Sequence, residues 1–312
     1  VSTSADHRVL PDAGRLQGIA LLLVTACSWG LNWPIAKFLL TELPPFSMRA
    51  VCCAAAVVFA FALAAARGER LAVPAKQWPR LAVFATLNYG AFIIFTTLSL
   101  AWLHASEAVI VTYSLPIWAA LIAWPMLGER PTPVAVLALL LGIGGIALLV
   151  GVNAGDASWA KLPGVAMGLI AAVLFGLGTV ISKRRPLALP PITAVAWQLA
   201  LSLVPVGALA MMERPDWSAV TPLAWLAVLF VATLPMTLAY VAWFRALRML
   251  PAAMAANGVL IAPLVGVVAS ALLLGDPLGP RQVAALALTL TGVGLAAWRP
   301  QASFKSGDLR HR

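Results

Sequence analysis

Apolar runs of close to twenty residues follow one another from Leu16 to Trp298, parted by joints too short to fold alone. About 20 apolar residues carry a helix across the hydrocarbon core of a bilayer. A chain patterned this way has one way to satisfy its backbone, which is to cross a membrane repeatedly as helices. Composition agrees: 62% of residues are hydrophobic and 10% charged, against about 25% charged in an ordinary soluble domain.

The runs divide into ten spans: 16–38, 45–66, 81–100, 105–126, 133–150, 163–182, 192–212, 223–246, 252–274 and 283–298. The joints carry breakers and charges, as in "GERPTP", "SKRRPLALPP" and "GDPLGPRQ". Lys and Arg orient the spans, because basic residues favour the cytoplasmic side. With the N-terminus inside, tails and even-numbered loops hold 16 of the 21 basic residues. The outer loops hold only Lys37, Arg49, Lys161, Arg214 and Arg281. Both termini are therefore expected in the cytoplasm. The same loops explain the pI of about 10.4, so the basic balance does not call for nucleic acid. "VTAC" before Cys27 imitates a lipoprotein signal, but the apolar run continues to Leu40. Cys27, Cys52 and Cys53 lie within spans and are not expected to form disulfides.

An internal repeat is the most informative feature. Displaced by 146 residues, "GIALLLVTACSWGLNWPIAK" lies over "GVAMGLIAAVLFGLGTVISK" and pairs Gly18, Gly30 and Lys37 with Gly164, Gly176 and Lys183. Displaced by 147, the fourth and fifth spans lie over the ninth and tenth, pairing Pro116, Gly128, Glu129 and Gly145 with Pro263, Gly275, Asp276 and Gly292. The expected divisions are a tail over 1–15, repeats over 16–151 and 163–298, an external linker over 152–162, and a tail over 299–312. Five spans per copy is an odd number, so the second copy enters from the opposite side. Inverted repeats of this kind build alternating-access carriers, with the substrate near the midplane between the halves. The expected fold is an all-α membrane protein of ten transmembrane helices, two inverted five-helix repeats around a central cavity.

These spans, the "SWGLNWPIAK" end of the first helix and "SEAVIVTYSLPIWAALIAWPMLGERP" resemble the drug/metabolite transporter superfamily. Within it the chain is most similar to bacterial EamA-type exporters, including the aromatic amino-acid branch. The resemblance covers about residues 16 to 298. It implies a carrier in the cytoplasmic (inner) membrane that exports amino acids or other small metabolites. It does not name the cargo.

Candidate site residues follow from polarity at membrane depth, which is costly and marks function by default. In the first span Trp29, Asn32 and Trp33 share a helical stripe, and Pro34 frees a carbonyl for water or substrate. Asn32 either lines a wet cavity or bridges two helices. Asn88 and Tyr89 sit mid-span in the third; Thr112 and Tyr113 precede Pro116 in the fourth. Tyr240 and Trp243 share a face of the eighth, and Asn257 precedes Pro263 in the ninth. Pro34, Pro116 and Pro263 are the expected bends or gates. Glu107 either carries a coupling proton or sits solvated at a helix N-terminus, where the dipole favours it. Glu129 and Asp276 each precede a Pro-started helix, and helix-terminal electrostatics accounts for them.

Absences narrow the substrate. No His lies in a span, and no Lys or Arg is expected at the midplane, so the cavity reads as neutral, with amides, hydroxyls and aromatic walls. That suits neutral zwitterionic amino acids; multidrug or other metabolite efflux on the same fold is the alternative. An intramembrane enzyme needs a catalytic set at depth, and none is present in the sequence. A channel needs a filter or charged ring, and inverted duplication argues against it. No metal or cofactor is expected. The expected partners are a small-molecule substrate and the lipid bilayer, without nucleic acid, and a monomer suffices.

Overall fold

The computed structural model describes residues 12–128, 133–150, 157–250 and 260–297. Every described element of regular structure is helical. Chain order is α1 Asp12–Glu42, α2 Pro45–Ala66, α3 Trp78–Phe84, α4 Phe92–Trp102, α5 Ala105–Thr112, α6 Leu115–Leu127, α7 Pro133–Val150 and α8 Leu162–Arg184. It continues with α9 Pro191–Ala210, α10 Pro222–Thr233, α11 Ala239–Met249, α12 Ile261–Leu274 and α13 Pro280–Ala297. Wide π turns join α3 to α4 over Ala85–Ala91 and α10 to α11 over Leu234–Leu238. Among the described residues seven helices are long and apolar enough to span a bilayer, with shorter apolar helices beside them. The chain is a multi-pass membrane protein.

The two halves pack as mutual images. Gly30 of α1 lies so close to α12 that an added Cβ would stand 2.7 Å from the Ala262 carbonyl oxygen. At the equivalent Gly176 of α8, a Cβ would stand 2.9 Å from the Ala119 nitrogen of α6. Gly18 abuts Leu250 and Met249, and Gly164 abuts Leu103 and Trp102. Gly145 of α7 meets Ala285 of α13, while Gly292 of α13 meets Ala138 of α7. Small residues let helix backbones approach where lipid gives no hydrophobic drive for association. Each close approach therefore recurs in the second half with the partners exchanged, which is the signature of a duplication about a pseudo-twofold axis. Gly128 and Gly275 end α6 and α12 in the left-handed conformation, at φ 73° and 69°, where a Cβ is strained.

The caps are exchanged as well. Glu213, beyond the end of α9, accepts the backbone N–H of Phe46 and Ser47 at the start of α2. Glu69, beyond the end of α2, accepts those of Ile192 and Thr193 at the start of α9. "LPPFS" and "LPPIT" are the two copies of this helix start; Pro at the first helical position needs no donor, and a carboxylate satisfies the next free N–H groups.

At the bundle end that holds Glu42, further polar contacts tie separate segments together. Glu42 accepts from the backbone and hydroxyl of Thr221. Lys37 Nζ donates to the carbonyls of Leu100 and Leu103, 2.5 and 2.9 Å away, where α4 runs out of internal donors. Asp276 accepts the Ser106 N–H at 2.9 Å and lies 3.3 Å from His104 Nδ1. This corrects one expectation: Asp276 serves the N-terminus of α5, in the other half, and not the Pro-started helix that follows it. Glu129 and Asn257 lie outside the described residues.

Trp78, Trp102, Trp159 and Trp217 are exposed at segment ends, the level at which amphipathic rings suit a membrane interface.

Candidate functional site

The central cavity lies between α1, α2, the third segment (α3–α4) and the eighth (α10–α11). Trp29, Asn32, Trp33, Arg49, Asn88, Tyr89, Phe92, Ile93, Thr96, Pro235, Met236 and Tyr240 line it. Its free volume of about 80 Å³ has room for a few waters. Both π turns border it: Asn88 and Tyr89 sit on the first, Pro235 and Met236 on the second. A π turn adds a residue to the helical repeat and re-aims the side chains that follow, which is why such turns gather at functional sites.

An aromatic wall closes one side. The Trp29 indole N–H donates to the Pro235 carbonyl at 3.1 Å, pinning α1 to the second π turn. Its ring meets Tyr240 edge-on at 5.2 Å, and Tyr240 lies 5.3 Å from Tyr89. Edge and offset arrangements at these distances are the attractive ones for aromatic pairs.

Unpartnered oxygens belong to three of the lining residues. Asn32 Oδ1, Asn88 Oδ1 and the Tyr89 hydroxyl are shielded from solvent, and none has a hydrogen-bond partner in the protein. Buried polar groups normally find partners, so three such atoms around one cavity mark a place for an occupant. Asn32 thus bridges no helices through its carbonyl oxygen. Asn88 in turn occupies the space that a side chain at Gly178 would need. Gly178 is the repeat counterpart of Asn32, so one half contributes the amide and the other the room for a second amide.

Six sequence candidates therefore meet in the cavity: Trp29, Asn32, Trp33, Asn88, Tyr89 and Tyr240. Three others stand behind it. Trp243 packs 6.1 Å from Trp29, and Tyr113 packs 6.3 Å from Trp33. Thr112 is wholly buried, its hydroxyl unpartnered. Trp33 is 4% exposed where it borders the cavity. The helix α1 runs unbroken through Pro34. The carbonyl that Pro34 frees, that of Gly30, faces Gly266 of α12 and not the cavity. Pro116 lies in the first turn of α6, just after a true break at Tyr113–Ser114. Pro263 holds the matching place in α12.

Glu107 is not solvated. It is 2% exposed, its carboxylate bound to Lys161 at 2.6 Å and to the His104 N–H at 3.3 Å. The larger correction is Arg49. Counted with the outer loops from sequence, it lies inside α2, 4% exposed, and lines the cavity. Its Nε donates to Thr97 Oγ1 at 2.7 Å. The cavity is not neutral. Position one turn into a helix reads as loop charge, and only the fold shows that the long side chain reaches inward.

Comparison with known proteins agrees with this architecture. The sequence matches the EamA-like transporter family twice, over residues 16–151 and 162–298. It is 27% identical to an uncharacterized transporter, YvbV, of Bacillus subtilis, over 90% of this chain and 92% of that protein. It is 28% identical to the aromatic amino acid exporter YddG of Ancylobacter novellus, over 64% of this chain and 69% of that one. One solved crystal structure superposes with a TM-score of 0.62 at 22% identity, covering 92% of this chain and 97% of its own, and so shares the fold. With a match in each half that together span nearly its whole length, the chain belongs to the EamA-like transporter family.

Proposed function

We propose that this protein is a secondary carrier that exports neutral amino acids, aromatic ones included, or similar small metabolites across the cytoplasmic membrane. Both termini are cytoplasmic in this reading, and the Glu42 end of the bundle faces out. The observation that carries it is the cavity itself. Three unpartnered polar oxygens beside the Trp29, Tyr89 and Tyr240 rings offer hydrogen bonds to a polar head and a wall to an apolar side chain. The similarity to an aromatic amino acid exporter supports the same class.

The inverted packing supports alternating access. Exchanging the conformations of the two halves would open the cavity to the opposite face. The cavity is small here, so loading a large solute requires the lining segments to part. The break before Pro116 and the matching start of α12 are the places where half-helices can turn against each other. Glu107 is the coupling candidate, since a proton on it would release Lys161.

The test is uptake of labelled amino acids into liposomes holding the purified protein. Saturable uptake of phenylalanine or tryptophan, inhibited by unlabelled neutral amino acids, supports the reading. Uptake of cationic drugs with no effect of amino acids would replace it with multidrug efflux.

A further inference from the structure

One group in the cavity has no use in a wholly neutral site. The Arg49 guanidinium is buried, and the ion pairs among the described residues join His104 to Asp276 and Lys161 to Glu107, leaving Arg49 without a carboxylate. Burying an uncompensated charge costs several kcal/mol even after relaxation. Position makes the cost worse, because Arg49 lies in the first turns of α2, where the helix dipole is positive and disfavours a cation. The fold does not demand a cation here either. The repeat counterpart of Arg49 in α9 is Val195, equally buried.

The side chain is held ready. Thr97 Oγ1 donates to the Ile93 carbonyl at 2.7 Å, which leaves its lone pairs to receive Arg49 Nε. With Nε tied to the third segment, the two Nη groups of the planar fork remain for an occupant. A guanidinium fork matches a carboxylate in two-point geometry, which a lysine does not.

We propose that Arg49 binds the carboxylate of the transported solute, while the Asn32 oxygen receives its ammonium group. The cavity then selects carboxylate-bearing solutes, and α-amino acids above amines or amides of the same size. Thr97 is a positioning residue that acts through Arg49. The assignment rests on this cavity being the substrate site, as proposed above.

The experiment is calorimetric binding to the full chain in detergent with three probes: L-phenylalanine, L-phenylalaninamide and L-phenyllactate. The amide lacks the carboxylate, and the lactate lacks the ammonium. Wild type should favour phenylalanine over its amide by about tenfold to a hundredfold, the range for a hydrogen-bonded charged group. Arg49→Gln should abolish that preference without lowering the melting temperature, and Thr97→Val should reduce it. Equal wild-type affinity for acid and amide, a result that needs no variant, overturns the proposal. So does an acid preference that survives Arg49→Gln. Binding of phenyllactate without phenylalanine supports the carboxylate hook and overturns the amino-acid reading, whereas binding of phenylalanine and its amide alike does the reverse. Binding of none overturns both.

Discussion

The carboxylate of Glu213 takes both the backbone N–H and the hydroxyl of Ser47, each at 2.7 Å. Thr193 offers the same two donors to Glu69, at 2.8 and 3.0 Å. Two helices that neighbour each other in the bundle thus cap one another across the duplication. Glu213→Ala should lower stability by about 0.5–2 kcal/mol, the usual worth of a helix cap. The double variant with Glu69→Ala should lose close to the sum, since the two caps share no partner. Thermal melting in detergent measures both; no change in either single variant would mean the caps contribute nothing.

Gly176 packs against backbone, not side chain, so an added methyl group has nothing flexible to displace. Gly176→Ala should push α8 from α6 and cost about 1–3 kcal/mol, as overpacking does. Gly144, with open space around its missing Cβ, is the control, and Gly144→Ala should melt near wild type. Equal melting of the two variants would contradict the close approach.

Buried Glu107 pairs with half-buried Lys161 at 2.6 Å. Glu107→Gln should keep exchange of substrate between the two sides of a liposome but lose the response to a pH gradient. A variant that still follows the gradient would assign Glu107 to holding Lys161 alone.

Much of the fold was legible because an inverted repeat leaves marks that chance does not. Gly18, Gly30, Gly145, Pro116 and their counterparts are the points where helices touch, turn or end, and their spacing survives when apolar residues between them drift. Asn32, Asn88, Tyr89 and Tyr240 were legible because lipid tolerates such groups only where something receives them. The π turns were not, since a one-residue widening of a helix leaves no periodic trace over seven residues. Arg49 was missed for a physical reason too. It lies in the first turns of α2, near a helix end, where basic residues usually reach for water, and its inward direction depends on Thr97 in the next segment. Asp276 was tied to the wrong helix because its partner Ser106 belongs to the other half.

In the proposed carrier Asn32 meets the polar end of the substrate and Trp29 its apolar side chain. Asn32→Leu should weaken substrate binding by about 0.5–1.5 kcal/mol, more if the group it meets is charged. Trp29→Ala should harm tryptophan transport more than alanine transport, because it removes wall area. A lower melting temperature with unchanged relative rates would make both residues packing elements.

The central claim is that one cavity, served by two exchanging halves, carries an amino acid from face to face. Counterflow tests it most directly. Liposomes containing the protein are loaded with unlabelled phenylalanine and diluted into a trace of labelled phenylalanine. A carrier predicts a transient internal excess of label above the external level, reduced in Asn32→Leu. Label that only approaches the external level, at a rate indifferent to the internal load, would contradict alternating access and indicate a channel-like path.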